Sequence, residues 1–345
     1  MRTLGLDVGG ANTKMVVINH KRDRMDLEFG YSAYFPFWEK KNEFKDFLKK
    51  IKNSKLVDVA TVGVTMTAEL SDCFDTKAEG VEYITRALDS VFPDARFYSV
   101  VGEFLTAKDA INQWNKISAA NWHATASLVG KNFPNCLFID IGSTSTDIIP
   151  IIDGTPTTNG KDDVTRTIYS ELLYTGALRT NLIALTGMER IPFRDTTIRG
   201  SSEYFACTAD VYRVLGFIDD DEYTIDTPDG RGTSVEECLS RIAKFICGDL
   251  HVIERSILIE LCENLMKRQI NIITTAIQEV LDIHGLGHDL LMTITGSGFF
   301  LAEKAIEKAG FKNCLVLNSQ HAGITGDIEF SPALAIAVLV KERMT

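Results

Sequence analysis

Cysteine is sparse and unpatterned in this chain. Seven are spread over 345 residues, with no two in a C-x-x-C pair, so neither a disulfide framework nor a paired-thiolate metal motif can be read. Cys136, Cys207, Cys247 and Cys262 fall in segments that read as core strands and helices, and are expected as reduced thiols. Long apolar runs are missing too, which excludes a membrane span. Basic charge is in deficit: 36 Lys and Arg against 47 Asp and Glu give a formal net charge of -11, a field that repels nucleic acid and anionic membrane surfaces. Met1-Arg2 lead directly into a strand pattern. The expectation is a soluble, cytoplasmic protein with neither nucleic acid nor membrane as partner. There is no low-complexity segment, and G-x-x-x-x-G-K-[ST], G-x-G-x-x-G and H-E-x-x-H are all absent.

What is present is a repeat. "LGLDVGGANTK" (4–14) and "LFIDIGSTSTDII" (137–149) each run from an apolar strand through Asp and Gly into short polar side chains. Gly9, Gly10 and Gly142 let successive backbone N–H groups curl around an anion with no Cβ in the way. Asn12, Thr13, Ser143 and Thr144 add donors, and Lys14 is either a phosphate partner or a solvated strand lysine. Asp7 and Asp140 cannot meet phosphate directly. Their natural task is to hold Mg²⁺ or its waters, which bridge phosphate oxygens. Two such loops facing each other would clamp a di- or triphosphate, whereas one loop alone reads equally well as a hairpin turn.

The rest of the chain alternates between strand and helix. "NEFKDFLKKIKN" and "EYITRALDSVF" have helical spacing around the buried strand "VDVATVGVTM", and "SAANWHATASLVGK" (118–131) is a small-residue helix. A domain boundary is expected there. Residues 146–230 read as short strands between turns, followed by a helix capped by Ser234 and Glu237 and then one long helix. "LLMTITGSGFF" is a strand with a tight Gly296-Ser297-Gly298 turn, and the chain finishes in an Ala-rich helix that begins at a Pro. In "HGLGH", His284 and His288 lack the intervening Glu of a zinc motif and read as exposed loop histidines.

In this order the pieces resemble the phosphate-1, connect-1, phosphate-2, adenosine and connect-2 segments of the actin, Hsp70 and sugar-kinase superfamily. Within it, "GLDVGGANTK", "TMTAELSD", "NWHATA", "DIGSTSTDIIPI", "YTGALRT", "TADVYRVLG" and "DTPDGR" resemble the hydantoinase/oxoprolinase-related proteins once grouped with the tetrahydromethanopterin-linked C1 pathway. Archaeal members of that family include a synthase of methanofuran biosynthesis. The resemblance implies an α/β, two-lobed actin-like ATPase (ribonuclease H-like) fold with a central cleft. Residues 1–131 and 325–345 would form one lobe and 132–324 the other, with a strand-rich insert. It also implies a transferase that joins 5-(aminomethyl)-3-furanmethanol diphosphate to γ-glutamyltyramine with loss of pyrophosphate. Mg²⁺ would be needed and ATP would not; a homodimer stays open.

Under that resemblance Glu69 is a base or an ammonium anchor, or merely a helix start. His123 is a proton acceptor, or half of a packed Trp-His pair. Arg179, after a Gly turn, suits bidentate capture of phosphate or carboxylate. Asp210 and Arg213 read as an ion pair three apart on a helix. Gly296, Ser297 and Gly298 sit where the superfamily holds a nucleoside, so they bind part of another substrate or are an inherited turn. Three readings compete with the synthase: an ATP-dependent small-molecule kinase, a nucleotide-gated binding module, and a ring-opening ATPase.

Overall fold

The structure is a computed structural model that describes residues 1–22, 24–55, 59–287, 289–312 and 314–342. The chain divides into two compact units: Met1–Phe138 with Ile149–Ile168 and Leu317–Thr345, and Ile139–Ile148 with Tyr169–Val316. Residues 132–138, 149–168 and 317–324, expected in the second lobe, fall in the first unit.

The first unit is built on a seven-stranded sheet. At its centre, Arg2–Val8 pairs antiparallel with Asn12–His20 and parallel with Thr61–Met66. Leu4, Leu6 and Val8 are fully buried, as are Thr3 and Thr65, which is the two-sided burial of a central strand. The helix Pro332–Glu342 covers one face. Its approach is so close that a Cβ at Gly5 would lie 2.0 Å from Ala333 O, and one at Gly63 would lie 2.6 Å from Ile336 Cγ2. Only glycine fits either position. Thr3 donates its hydroxyl to Ala337 O at 2.6 Å, fixing the helix along the strand. Helices Phe44–Lys55 and Lys77–Val91 contribute Phe44, Leu48, Val81, Ile84 and Leu88 to the same core. Thr76 caps the second of them through Glu79 N.

A second sheet runs in the order Leu172–Leu173, Thr146–Ile152, Cys136–Ile141, Leu291–Thr295, Cys314–Val316, with Thr155–Pro156 paired to Thr146–Ile152. The second unit adds helices Thr208–Leu215, Val235–Phe245, Arg255–His284 and Phe299–Lys308. Ser234 and Glu237 form the expected capping box.

The stretch expected to be strand-rich differs. Asp163–Ile168 and Leu182–Thr186 are helical, Thr208–Leu215 is the helix expected to carry Asp210 and Arg213, and the strands between them are short pairs such as Ile191–Phe193 with Thr196–Ile198. Asn181 caps the single-turn helix and Gly187, at φ 54°, stops it. Apolar runs this brief carry no usable period. His284 also departs from expectation: it is the last residue of the long helix, and its Nε2 lies 3.0 Å from the buried Glu171 carboxylate. His288 lies outside the described residues.

Candidate active site

The two matched loops fold alike, each within its own unit. In the first, Gly9 N donates to Asn12 O at 2.9 Å; in the second, Gly142 N donates to Ser145 O at 3.0 Å. Each bond closes a turn. Among the described residues, no hydrogen bond uses the N–H of Gly10 or Ala11 in the first loop, or of Ser143 or Thr144 in the second. Their carbonyls, in contrast, are engaged. Gly10 O and Ala11 O accept from Phe37 N and Phe35 N, while Gly142 O accepts from Ala177 N and Ser143 O from Leu178 N and Arg179 N. Each loop is thus held rigid from behind and presents unpaired donors in front, which is the arrangement an anion requires.

Asp7 is the penultimate residue of its strand, with Lys14 and Thr65 as register neighbours. Its Oδ1 is sealed from solvent and accepts no hydrogen bond among the described residues, as is true of Thr13 Oγ1 and Thr65 Oγ1. Burial pushes the Asp7 carboxyl up to about 6, Lys14 pulls against that shift, and Glu329 adds to it. Lys14 Nζ is ion-paired with Glu329 at 2.9 Å. Unpartnered buried oxygens on an acid and two hydroxyls cost free energy in isolation, about 1–3 kcal/mol each, and they fit a cation or its waters. Among the described residues, however, no group of three or more His, Cys, Asp and Glu forms a ready metal cage. A Mg²⁺ held here would therefore rely on few protein ligands and on phosphate and water for the rest, as that ion commonly does.

In the second unit, two segments converge on the loop after Asp140. A Cβ at Gly176 would lie 2.6 Å from both Gly142 O and Thr144 N; one at Gly298 would lie 2.4 Å from Ile141 Cγ2. Gly296 takes φ +90°, and a Cβ there would reach 2.5 Å from Asp140 Oδ1. The Gly-Ser-Gly turn is therefore packed against the Asp140 loop, with Gly298 N donating to Ile141 O at 2.8 Å. Arg179 is fixed through its backbone, while its guanidinium has no hydrogen-bond or ion-pair partner among the described residues. The Tyr204 phenol is pushed up to about 12, chiefly by burial and also by Cys207 and Asp210, with Arg179 opposing.

Sequence reasoning missed what supports this arrangement. Gln269, fully buried on the long helix, donates through Nε2 to Thr175 Oγ1 and to Gly176 O, both at 2.9 Å, and its Oε1 accepts from Tyr212. Thr180 Oγ1 accepts from Gly176 N at 2.9 Å. No local pattern marks a glutamine 93 residues from its partner.

Glu69 and His123 are both interior. Glu69, 1% exposed, sits in the short turn Ala68–Leu70 and accepts from Ser118 Oγ and Ala119 N. Burial pushes its carboxyl up to about 7. His123 Nδ1 lies 3.1 Å from Tyr98 Oη and 3.3 Å from Ser127 Oγ, and its ring packs edge-on against Trp122, so the packed pair is what forms. Asp210 does not pair with Arg213. Its Oδ1 instead accepts from Arg241 Nε at 2.8 Å and from Tyr223 Oη at 3.0 Å, inside the second unit.

The family described as hydantoinase/oxoprolinase matches residues 60–326. The chain belongs to this family. One hydantoinase/oxoprolinase relative, the (4-{4-[2-(γ-L-glutamylamino)ethyl]phenoxymethyl}furan-2-yl)methanamine synthase of Methanocaldococcus jannaschii, is 34% identical over 343 residues, 99% of this chain and 98% of that protein. A synthase of the same name from Methanococcus vannielii is 35% identical over 64% of this chain and 97% of its own. Among solved structures, nucleotide-free acetone carboxylase superposes with a TM-score of 0.58 at 11% identity, covering 98% of this chain and 70% of its own. That likeness concerns the fold alone. With the sheet order described above, the fold class is the expected mixed α/β, actin-like one. No described helix is long and apolar enough to cross a membrane.

Proposed function

We propose that this hydantoinase/oxoprolinase family member is a transferase. It would condense 5-(aminomethyl)-3-furanmethanol diphosphate with γ-glutamyltyramine, releasing pyrophosphate and forming the phenoxymethyl-furan ether. The relatives' name supplies the product. The observation that carries the chemistry is the pair of unpartnered amides in each loop, Gly10 with Ala11 and Ser143 with Thr144.

In the reaction, the bond from the furan methylene to the diphosphate oxygen breaks, and its electron pair leaves with the diphosphate. The phenol oxygen of the tyramine forms the new bond to that carbon, and its proton passes to a base or to solvent. The free amides of each loop would meet negative charge on phosphate oxygens bound there, which is worth most where donors are fixed beforehand. Asp7 and Asp140, each at its own loop, are the carboxylates that would hold Mg²⁺, whose charge would offset that of a bound phosphate. The Arg179 guanidinium binds a phosphate or the γ-glutamyl carboxylate. Glu69 and His123, being interior, are not assigned the phenol proton.

The test is to mix purified protein, the furan diphosphate, γ-glutamyltyramine and Mg²⁺ without ATP, and to follow ether and pyrophosphate by mass spectrometry. Ether is expected, and is expected to vanish in Asp7→Asn and Asp140→Asn. A second reading, an ATP-dependent small-molecule kinase, draws on the Gly296–Gly298 turn packed beside Asp140. No ether without ATP, together with ADP release when ATP and acceptors are supplied, would replace the first reading with the second.

A further inference from the structure

We infer that Glu69 is a positioning residue for the Gly9-Gly10 loop, acting through the turn it sits in; the effect on substrate rests on the diphosphate reading above. The turn carries Thr67 and Ser71 on either side of Glu69, and both touch the loop. Thr67 N donates to Val8 O at 2.9 Å. A Cβ at Gly9 would lie 3.7 Å from Thr67 Oγ1, and one at Gly10 would lie 3.1 Å from Ser71 Oγ. Where this turn goes, the bare amides of Gly10 and Ala11 go with it.

Glu69 is clamped on the far side from two directions. From the helix Lys77–Val91, Gly80 approaches so closely that a Cβ there would lie 2.6 Å from both Glu69 Cα and Glu69 O. From the segment ahead of helix Asn121–Asn132, Ser118 Oγ and Ala119 N donate to Glu69 Oε1 at 2.7 and 2.9 Å. Ala119 holds a left-handed backbone, φ 50°, which an alanine rarely adopts. The bond from its N–H to Glu69 Oε1 is made in that conformation. Glu69 Oε2, equally buried, has no partner among the described residues. One oxygen therefore does the structural work, and an amide oxygen serves as well as a carboxylate oxygen in that place.

The inference thus separates Glu69→Gln, which keeps the accepting oxygen, from Glu69→Ala, which removes it. Two readouts are used on the full chain, with thermal unfolding as a control for global loss of fold. Hydrogen exchange of the peptide covering residues 7–13 is expected to speed up in Glu69→Ala, to stay at the wild-type rate in Glu69→Gln, and to stay unchanged in both over residues 139–146. Calorimetric affinity for pyrophosphate with Mg²⁺ is expected to fall about tenfold in Glu69→Ala and by less than about threefold in Glu69→Gln. Ser118→Ala, a milder variant that loses one of the two donors, is expected to fall between them in exchange. Unchanged exchange over 7–13 in Glu69→Ala overturns the inference, as does a Glu69→Gln chain that behaves like Glu69→Ala. Because exchange is read without ligand, a wild-type chain that fails to bind pyrophosphate would sink the diphosphate reading while exchange still decides the role of Glu69.

Discussion

Gln269 donates to the carbonyl of Gly176 at 2.9 Å from the middle of the long helix, and Gly176 in turn has no space for a side chain against Gly142 and Thr144. A buried amide thus sets where the turn Thr175–Thr180 meets the Asp140 loop. Replacing Gln269 by Leu takes the acceptor of the Tyr212 hydroxyl and one donor each from the Gly176 carbonyl, which keeps Thr180 and Thr208, and the Thr175 hydroxyl, which keeps Thr180. The expected cost is about 1–3 kcal/mol in urea unfolding. A rise in KM for the proposed diphosphate substrate, without an equal rise for the proposed tyramine substrate, would show that the effect reaches the loop.

Gly176→Ala is expected to act more locally. The atoms in its way are backbone, Gly142 O and Thr144 N, so the loop must move and no flexible side chain can yield instead. Diphosphate turnover is expected to fall at least about tenfold, as a misplaced donor set does, with the unfolding midpoint much less affected. Wild-type kinetics in this variant would show that the loop does not carry the reaction.

The Asp7 carboxyl, pushed up to about 6 by burial, predicts a pH dependence of metal-assisted binding. The cation proposed for this site would compete with the proton for this group. Mg²⁺-dependent pyrophosphate affinity should therefore rise as pH increases through about 6 and level off above it. Asp7→Asn should abolish that rise. Calorimetry between pH 5.5 and 7.5 checks both.

For Glu69 the sign concerns stability. Its folded carboxyl is raised to about 7 from an ordinary value of 4.5, so the native chain holds a proton that the unfolded chain has released over that interval. Stability should accordingly decline as pH rises from about 4.5 to about 7. Glu69→Gln removes the titration, and its unfolding free energy should fall less than the wild type's between pH 5 and 8. Parallel curves for the two chains would count against the shift.

Arg241 and Asp210 are both fully buried and 2.8 Å apart, with Asp229 3.0 Å from the same guanidinium. Arg241→Met strands a buried carboxylate and is expected to cost about 3–5 kcal/mol, whereas Asp210→Asn with Arg241→Met should recover part of that loss. Denaturation of the two variants in parallel separates a broken pair from lost packing.

The sequence made the twin loops legible because their chemistry is local: Asp, Gly and small polar residues within a few positions of one another. The long helix, the Ser234 cap and the strand ahead of the Gly-Ser-Gly turn were legible for the same reason, since each has a clear period or a terminal signal. What escaped depends on distant partners. Nothing near Gly5 or Gly63 shows that a helix at Pro332–Glu342, at the other end of the sequence, will press on them. "TMTAELSD" gives no sign that Glu69 is interior, because the donors that receive it lie at Ser118 and Ala119. Between 146 and 230 the segments are too short for their period to separate helix from strand.

The contact between Thr3 and Ala337 spans 334 positions, and this sets an order of events in synthesis. Until the chain has been made through Val340, the strand Arg2–Val8 has no helix to cover the face that bears Gly5, so the first unit is the last to be completed even though it begins first. Pairing so distant in sequence is slow to form and leaves apolar surface open in the meantime. A chain cut after Phe330 should therefore lack a cooperative transition for the first unit, which calorimetry would reveal. The helix Pro332–Glu342 is thus needed before the strand that carries Asp7 has its covered face.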